Sequence, residues 1–470
     1  MSSQLKSFFK FFVDVEPHER IKVILLTAAF FCAIGGYTIA KELKDSIFVH
    51  IVGLEYMPWA KMLSIFILIP PILFYSRLVD ILKRSHLLYF YCMLYGIGGL
   101  ICVYLLGHPT IGLANTDTNP YRLFGWFLYF FIEGYSPFVV SVFWAFTNSI
   151  TSPKAAKNNY TIMIAGSKFG GMIMSAFAWW LLTYKDSLGQ LIYSDVINHQ
   201  ILLGLASCLL LCVPIIINIM ITRVPAQYLH GYEAVYKVEK ERSSHGEPTG
   251  LIATLTSIVS GLVMIVRYPY VMGMFGMIFF WEIINVVLGY LRLSIGETHA
   301  SSASALSGFL FKSVLFVHLA GFIIVLFGTR ALINFLGERK SLILIPTITG
   351  ILLTYYLTSQ SANAVLIVYI LIRSVNYAFA YPLRESLYIP TTKEMKFKSK
   401  SWIDAFGAKV AKGCGSYYNV FVSRYVSTAL LTSVHTVFFI GVISMWLLTA
   451  QLLGKRFERA VENNEVIGLE

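Results

Sequence analysis

The 470-residue chain has little charge, and it lacks the motifs of several enzyme classes. Only 13% of its residues are Asp, Glu, Lys or Arg, about half of the ~25% usual in soluble domains. It contains no H-E-x-x-H zinc motif, no G-x-S-x-G nucleophile motif and no G-x-x-x-x-G-K-[ST] phosphate loop. Its six cysteines form no C-x-x-C pair, so disulfide or metal chemistry is not expected. The chain is therefore expected to be no enzyme and to carry no cofactor or metal.

Most of the chain consists of long apolar runs. Hydrophobic residues make up 57% of the chain and the mean hydropathy is +0.68. Apolar runs of about 20 residues are long enough to cross a bilayer as helices, and they show no period-two alternation of the kind a membrane barrel requires. These features predict an all-α polytopic membrane protein with twelve transmembrane helices, near residues 20–42, 55–77, 87–107, 121–150, 160–183, 200–222, 269–293, 305–328, 341–358, 362–388, 401–425 and 427–453.

Basic residues predict the orientation of these spans. With the N-terminus in the cytoplasm, 24 of the 37 Lys and Arg residues lie on the cytoplasmic side and only 4, Lys61 among them, on the other. The positive-inside rule then places both termini in the cytoplasm. This bias also accounts for most of the +12 net charge without nucleic acid as a partner. The absence of a signal or transit peptide favours a bacterial inner membrane over a plastid envelope.

A long polar loop divides the predicted spans into two sets of six. We predict an N-terminal six-helix half at 1–222, a cytoplasmic middle loop at 223–268, a C-terminal six-helix half at 269–453 and a cytoplasmic tail at 454–470. This layout is typical of the major facilitator architecture, in which the substrate site lies between the halves at mid-membrane. The lipid bilayer is the expected surrounding, and a monomer is the expected state.

Several ionisable residues fall deep inside predicted spans, where charge is costly and therefore a functional candidate by default. Cations exceed carboxylates at these positions, and such an excess is stable only if an anion shares the site or the lysines deprotonate. Ammonium and guanidinium groups pair with phosphate through charge-assisted hydrogen bonds, so a polyphosphate is the natural ligand. The deep residues are Lys168, Arg373, Lys409 and Lys412 on the basic side and Glu133 and Glu282 on the acidic side.

The stretch "AKELKDS" at the end of the first span adds more charge. Lys41, Lys44 and Asp45 share one helical face, because residues three and four apart are neighbours. We assign Lys44 to the cavity, held in place for a phosphate by Asp45. Lys41 and Glu42 are interpreted as interfacial residues at the outer end of the span.

These charged stretches resemble the nucleotide transporters typified by the ATP/ADP antiporters of obligate intracellular bacteria and plastids. "AKELKDSIFV" is similar to the family's Arg-Asp-Thr-Lys-Asp stretch, with Lys44 at its lysine. "IEGYSPFVVSVFW" places Glu133 on the family glutamate, and "AKGCGS" matches the Gly-Lys-Ser-Gly-Gly run with Lys412 on its lysine. "INVVLGYLRL" and "RSVNYAFAYPLRESLYIP" are similar to the family's stretches in spans seven and ten. The resemblance implies a nucleotide substrate.

The chain departs from the family pattern at four positions. The span-seven glutamate falls on Leu288, the span-ten lysine on Asn376 and the following aspartate on Tyr381, while Lys168 occupies a position that is usually asparagine. Exchange of ATP and ADP is the first hypothesis. Proton-coupled uptake of nucleoside triphosphates or an NAD-like dinucleotide, or transport of another organic phosphate, are the alternatives.

The predicted mechanism is alternating access, with the two halves rocking around one central site. A membrane-embedded lipid-phosphate transferase and a channel are the rival classes. Arg77, Asp80 and Arg84 in "SRLVDILKR" are predicted to gate the inner face through contacts between the halves. The predicted substrate-binding residues are Lys44, Asp45, Glu133, Lys168, Arg373, Asn376, Tyr377 and Lys412.

Overall fold

Apolar runs in the sequence become long helices, since a helix satisfies its own backbone hydrogen bonds where water is absent. A computed structural model describes residues 17–151, 153–187, 191–225, 229, 263–327, 329–388, 390–392, 399, 402–403, 407–463 and 465–468. The helices are α1 (Pro17–Ile51), α2 (Met57–Ile67), α3 (Ile69–Ile81), α4 (Arg84–Leu106), α5 (Leu123–Glu133), α6 (Ser141–Ile150), α7 (Pro153–Thr183), α8 (Asp195–Arg223), α9 (Pro269–His299), α10 (Ala303–Phe327), α11 (Thr329–Ser359), α12 (Ala362–Val375), α13 (Tyr381–Ser386), α14 (Ala408–Tyr425) and α15 (Thr428–Glu462).

Among the described residues, ten helical segments are long and apolar enough to span a bilayer. The chain is therefore a multi-pass membrane protein. The two remaining predicted spans, 362–388 and 401–425, correspond to the shorter helices α12 and α14. Helix α14 carries Lys409 and Lys412, which lower its hydropathy. The all-α fold is confirmed, and the number twelve stays a prediction.

Two helices are interrupted by five-residue π segments at corresponding places. Ser136–Val140 joins α5 to α6, and Asn376–Ala380 joins α12 to α13. A proline lacks the N–H that would bond the carbonyl four residues earlier. In span ten the π segment lies just before Pro382, which has no N–H to donate to the carbonyl of Ala378 four residues earlier. Pro137 has the same effect on the carbonyl of Glu133.

Small residues bring the first helix close to its neighbours. A Cβ atom at Gly36 would lie 2.9 Å from the carbonyl oxygen of Ala206 in α8, and one at Gly170 would lie 2.8 Å from that of Phe31. Membrane helices associate through such faces, because lipid offers no hydrophobic drive for their packing. The small residues of "AGSKFGG" in α7 therefore pack against α1.

We refer to α1–α8 as the N-terminal half and α9–α15 as the C-terminal half. An apolar cluster joins them where α1, α7 and α9 end, with Ile47 and Phe48 of α1 packed in one core with Leu306 and Leu310 of α10. We call this end of the bundle the outer end, because the predicted orientation places it away from the cytoplasm. Most of the predicted middle loop, 223–268, lies outside the described residues.

Candidate functional site

A polar cavity lies between the two halves, where α1, α2 and α5 face α9, α12 and α14. Its lining contains seven basic and three acidic side chains, an excess of four positive charges among the lining residues. Burial of unpaired charge is costly, so the cavity favours an anionic occupant. The charged lining residues are Lys41, Glu42, Lys44, Asp45, Lys61, Glu133, Arg292, Arg373, Lys409 and Lys412.

Lys44 is the centre of the charged group in the N-terminal half. Its Nζ lies 2.7 Å from Glu133 Oε2 and 3.3 Å from Asp45 Oδ1. The same atom lies 4.1 Å from the centroid of the Tyr129 ring, within the range of a cation–π contact. Lys44 is only 5% exposed, so its charge is balanced almost entirely by these groups. The structure thus brings three predicted site residues, Lys44, Asp45 and Glu133, to one point of the cavity.

Arg373 is the centre of a second group, in the C-terminal half. Its Nε donates to Asn285 Oδ1 at 3.0 Å, and Asn285 Nδ2 donates to Glu282 Oε2 at 3.1 Å. Arg373 also donates to the Tyr369 hydroxyl and lies over that ring, 4.9 Å from its centroid. Asn285 therefore connects Glu282 to the cavity residue Arg373. Glu282 lies six residues before Leu288, the position at which the family pattern has its span-seven glutamate.

A buried ion pair crosses between the halves beside these groups. Arg292 Nη2 of α9 lies 2.8 Å from Glu42 Oε2 of α1, and Arg292 Nη1 donates to Ser313 Oγ at 2.8 Å. Glu42 is 1% exposed and Arg292 is 3% exposed. In the C-terminal half, the Tyr369 ring packs against Arg292, with 4.3 Å between the ring centroid and the guanidinium carbon.

The interpretation of Lys41 and Glu42 as interfacial residues is wrong. Both line the cavity, because α1 runs on through the apolar "SIFVHI" to Ile51, well past the predicted end at residue 42. Nine further residues add about 13 Å of helix. Lys61, assigned to the far side of the membrane, also lines the cavity from within α2.

Two aromatic residues of the cavity could have been found from helical spacing. Tyr129 lies four residues before Glu133, and Tyr369 lies four residues before Arg373, so each shares a helix face with a predicted site residue. Each pair also ends three residues before the start of a π segment in its own half. Irregular turns of this kind are frequent at functional sites.

Three predicted substrate residues lie apart from the cavity lining. Lys168 of α7 points at the Tyr377 ring, with 4.9 Å between its Nζ and the ring centroid. Asn376 is buried at 4% exposure, whereas Tyr377 is 44% exposed. We call Lys168 and Tyr377 the side patch, since they meet across the two halves. Trp144 of α6 packs edge-on against Phe30 of α1, with 5.1 Å between the ring centroids.

One predicted gate residue, Arg84, has a described contact within the N-terminal half. Arg84 Nη1 donates to the Ala145 carbonyl at 3.4 Å, a contact inside the N-terminal half, and Arg77 is exposed. The side chain of Asp80 lies outside the described residues. A role for these residues between the halves stays a prediction.

Polar contacts join the halves at the outer end. Asp195, the first residue of α8, accepts from the backbone N–H groups of Ala303 at 3.0 Å and Ser304 at 3.4 Å, at the start of α10. His199 Nε2 lies 2.8 Å from Ser307 Oγ. Ser307 in turn donates to Ser46 Oγ of α1 at 2.6 Å. The Asp195 carboxylate stabilises the N-terminus of α10, because a negative charge is favourable there. Together these hydrogen bonds join the two halves at the outer end.

Asp195→Ala is expected to weaken this connection between the halves. Two N–H donors of α10 lose their acceptor, which costs about 1–3 kcal/mol when such groups are left unsatisfied. A buried reporter, Leu306→Cys, should then react faster with an impermeant thiol reagent, in a background from which the six free cysteines have been removed. Asp117→Ala in the exposed outer loop is the matched control. Equal labelling rates in the two variants would contradict the assignment.

Comparison with known proteins identifies the family. The family model described as TLC ATP/ADP transporter matches residues 1–106 and 120–457. The chain belongs to this family. The ADP,ATP carrier protein 5 of Rickettsia prowazekii is 24% identical over 470 residues, covering 90% of this chain and 91% of that protein. The ADP,ATP carrier protein 1 of Chlamydia muridarum is 24% identical over 500 residues, covering 95% of this chain and 90% of that protein.

Solved transporters share the fold of this TLC family member. A D-xylose-proton symporter superposes with a TM-score of 0.60 at 12% identity, covering 93% of this chain and 96% of that one. The nucleoside transporter NupG gives a TM-score of 0.54 at 10% identity, covering 93% and 98%. The major-facilitator-like fold class is confirmed, and the family resemblance seen in the charged stretches is confirmed over most of the chain.

Proposed function

We propose that this protein carries nucleotides across the membrane by alternating access, and that it exchanges ATP for ADP or a related nucleotide pair. The observation that carries this proposal is the excess of four positive charges in a cavity between the halves. A nucleotide polyphosphate supplies the missing negative charge and also offers a base and ribose for the neighbouring tyrosines. Membership of the TLC family and the names of the curated relatives support the same substrate class.

Exchange follows from the charge of the cavity. Closing an empty cationic site on both sides would leave like charges uncompensated in a medium of low dielectric, which is unfavourable. A bound nucleotide removes that repulsion, so the loaded protein changes conformation more readily than the empty one. Import of one nucleotide is then coupled to export of another.

The site residues have distinct roles in this proposal. Lys44, Arg373 and Lys412 bind the phosphates through charge-assisted hydrogen bonds. Asp45 keeps Lys44 in position, while Glu133 compensates Lys44 in the empty protein and turns to the ribose or base when phosphate arrives. The side-patch residues Lys168 and Tyr377, together with the neighbouring Asn376, come into contact with the nucleotide as the halves move.

The contacts at the outer end support an inward-facing arrangement, with the cavity on the cytoplasmic route. We place the protein in a bacterial inner membrane, with both termini in the cytoplasm and a single chain as the working unit. Arg77, Asp80 and Arg84 would then lie at the inner face, where they can meet the C-terminal half when the cavity closes on that side.

Uptake of labelled ATP, ADP, GTP, CTP and NAD by bacterial cells expressing the protein tests this function. We expect uptake of at least one nucleotide, and faster uptake into vesicles preloaded with unlabelled nucleotide than into empty vesicles. Uptake that follows the proton gradient and ignores the preloaded nucleotide would contradict exchange. A protein that moves none of the five compounds would contradict nucleotide transport itself.

A further inference from the structure

Three cavity lysines differ from the other cavity cations, because in the described part of the chain no carboxylate lies within ion-pair distance of them. Lys44, Arg292 and Arg373 each have hydrogen-bonded partners, as given above. In contrast, Lys61 of α2 and Lys409 and Lys412 of α14 have no ion-pair or hydrogen-bond partner for their side chains among the described residues. The Nζ of Lys409 is also buried. A buried, unpaired ammonium group is costly, so these lysines either gain an anionic partner or lose their proton.

These lysines follow the seam between two antiparallel helices from different halves. The guanidinium carbon of Arg424 lies 5.5 Å from the Trp59 ring centroid, and a Cβ atom at Gly413 would lie 3.1 Å from Ile65 Cδ1. Residue numbers thus rise along α2 as they fall along α14. Close packing of Gly415 against the Ile283 carbonyl oxygen, 3.1 Å from its Cβ position, also fixes α14 on α9.

The antiparallel arrangement spaces the three charges along the seam. Lys61 lies one turn from the Ile65–Gly413 contact in one direction. Lys412 is adjacent to Gly413, and Lys409 lies one turn away in the opposite direction. At 1.5 Å per residue the three positions extend over about 12 Å. A line of charges fits an elongated polyanion, whereas a single phosphate can meet only part of it.

We propose that Lys61, Lys412 and Lys409 form a ladder that binds the phosphate chain of the nucleotide, and that Lys61 and Lys409 determine the preference for polyphosphates over monophosphates. The inference rests on the proposed function and adds two residues to its site. Because Lys61 belongs to the N-terminal half and Lys409 to the C-terminal half, an extended phosphate chain also connects the halves across the seam.

Competition by ATP, ADP and AMP against uptake of labelled ATP tests the ladder. In Lys61→Ala and in Lys409→Ala we expect the inhibition constant of ATP to rise about tenfold, and that of AMP to rise less than twofold. The ATP-over-AMP preference then falls about tenfold for each lysine removed. Lys61→Arg and Lys409→Arg retain the charge and should retain the preference. Lys185→Ala in the exposed outer loop is the matched control.

A binding measurement on the purified protein separates the ladder from folding defects. Inorganic tripolyphosphate should raise the melting temperature of the wild-type protein more than orthophosphate does, and Lys61→Met and Lys409→Met should lose this difference. A loss of affinity that is equal for ATP and AMP, or an unchanged difference between the two inorganic anions, would overturn the ladder. If the wild-type protein transports no nucleotide, the proposed function fails instead.

Discussion

Lys44→Ala is expected to lower nucleotide uptake by at least about 100-fold. The change removes the cation that balances Glu133 and Asp45 and leaves two carboxylates facing the phosphates. Breaking a buried ion pair by removing one partner costs about 3–5 kcal/mol, and every 1.4 kcal/mol is about tenfold in an equilibrium constant. Initial rates of labelled ATP uptake, corrected for the amount of protein in the membrane, measure the loss.

Companion variants distinguish a charge effect from a packing effect. Lys44→Arg keeps the positive charge and should retain more uptake than Lys44→Ala. Lys44→Ala combined with Glu133→Ala removes both sides of the 2.7 Å contact and should be less destabilising than Lys44→Ala alone. A double-mutant cycle on melting temperature reports this coupling. Wild-type uptake in Lys44→Ala would remove Lys44 from the site.

Most of the helical architecture could be predicted from apolar runs, since only helices or closed barrels satisfy backbone groups in lipid. The first span shows where this reasoning fails. A cluster of four charges at Lys41–Asp45 looks like the end of a membrane helix, yet α1 continues to Ile51. Charged residues mark either an interface or a wet cavity, and hydropathy along one helix cannot distinguish the two.

The candidate site was predictable mainly where the charge lay deep in a span. Glu133, Arg373, Lys409 and Lys412 were found in this way, and all four line the cavity. Lys44 was found instead from the charged helical face at the end of the first span, and it lines the cavity too. Lys61 was missed, because a lysine near a span end is normally explained by a side chain that extends to the interface. Helix packing, which the sequence does not specify, decides that it faces inward.

The partners of Glu42 and Arg292 could not be predicted from local sequence either. They lie 250 residues apart, in different halves, and each has an unremarkable position near the end of a predicted span. The two π segments were only partly predictable. Pro137 and Pro382 each indicate an irregular helix. The sequence alone does not show that the two breaks lie at corresponding places of the two halves.

The second large effect is expected at this ion pair. Glu42→Gln leaves Arg292 buried with a neutral partner at a boundary between the halves that must separate whenever the cavity opens outward. Loss of one buried charge costs about 3–5 kcal/mol in the conformation in which the pair is formed. A shift of about 5.5 kcal/mol is enough to reverse a 99:1 equilibrium. We therefore expect Leu306→Cys at the outer end to react much faster with an impermeant thiol reagent in the Glu42→Gln background.

An exposed ion pair in the same protein gives the matched control. Arg339 Nη1 lies 2.9 Å from Glu458 Oε2, with the two side chains 36% and 45% exposed. Surface pairs contribute about 0–1 kcal/mol, so Glu458→Gln should leave labelling and uptake close to wild type. Exchanging the charges, with Glu42→Arg and Arg292→Glu together, should restore part of the slow labelling that Glu42→Gln loses. Of these two ion pairs, the buried one joins the two halves and the exposed one lies within the C-terminal half. Equal labelling in the Glu42 and Glu458 variants would therefore show that the buried pair does not hold the halves together.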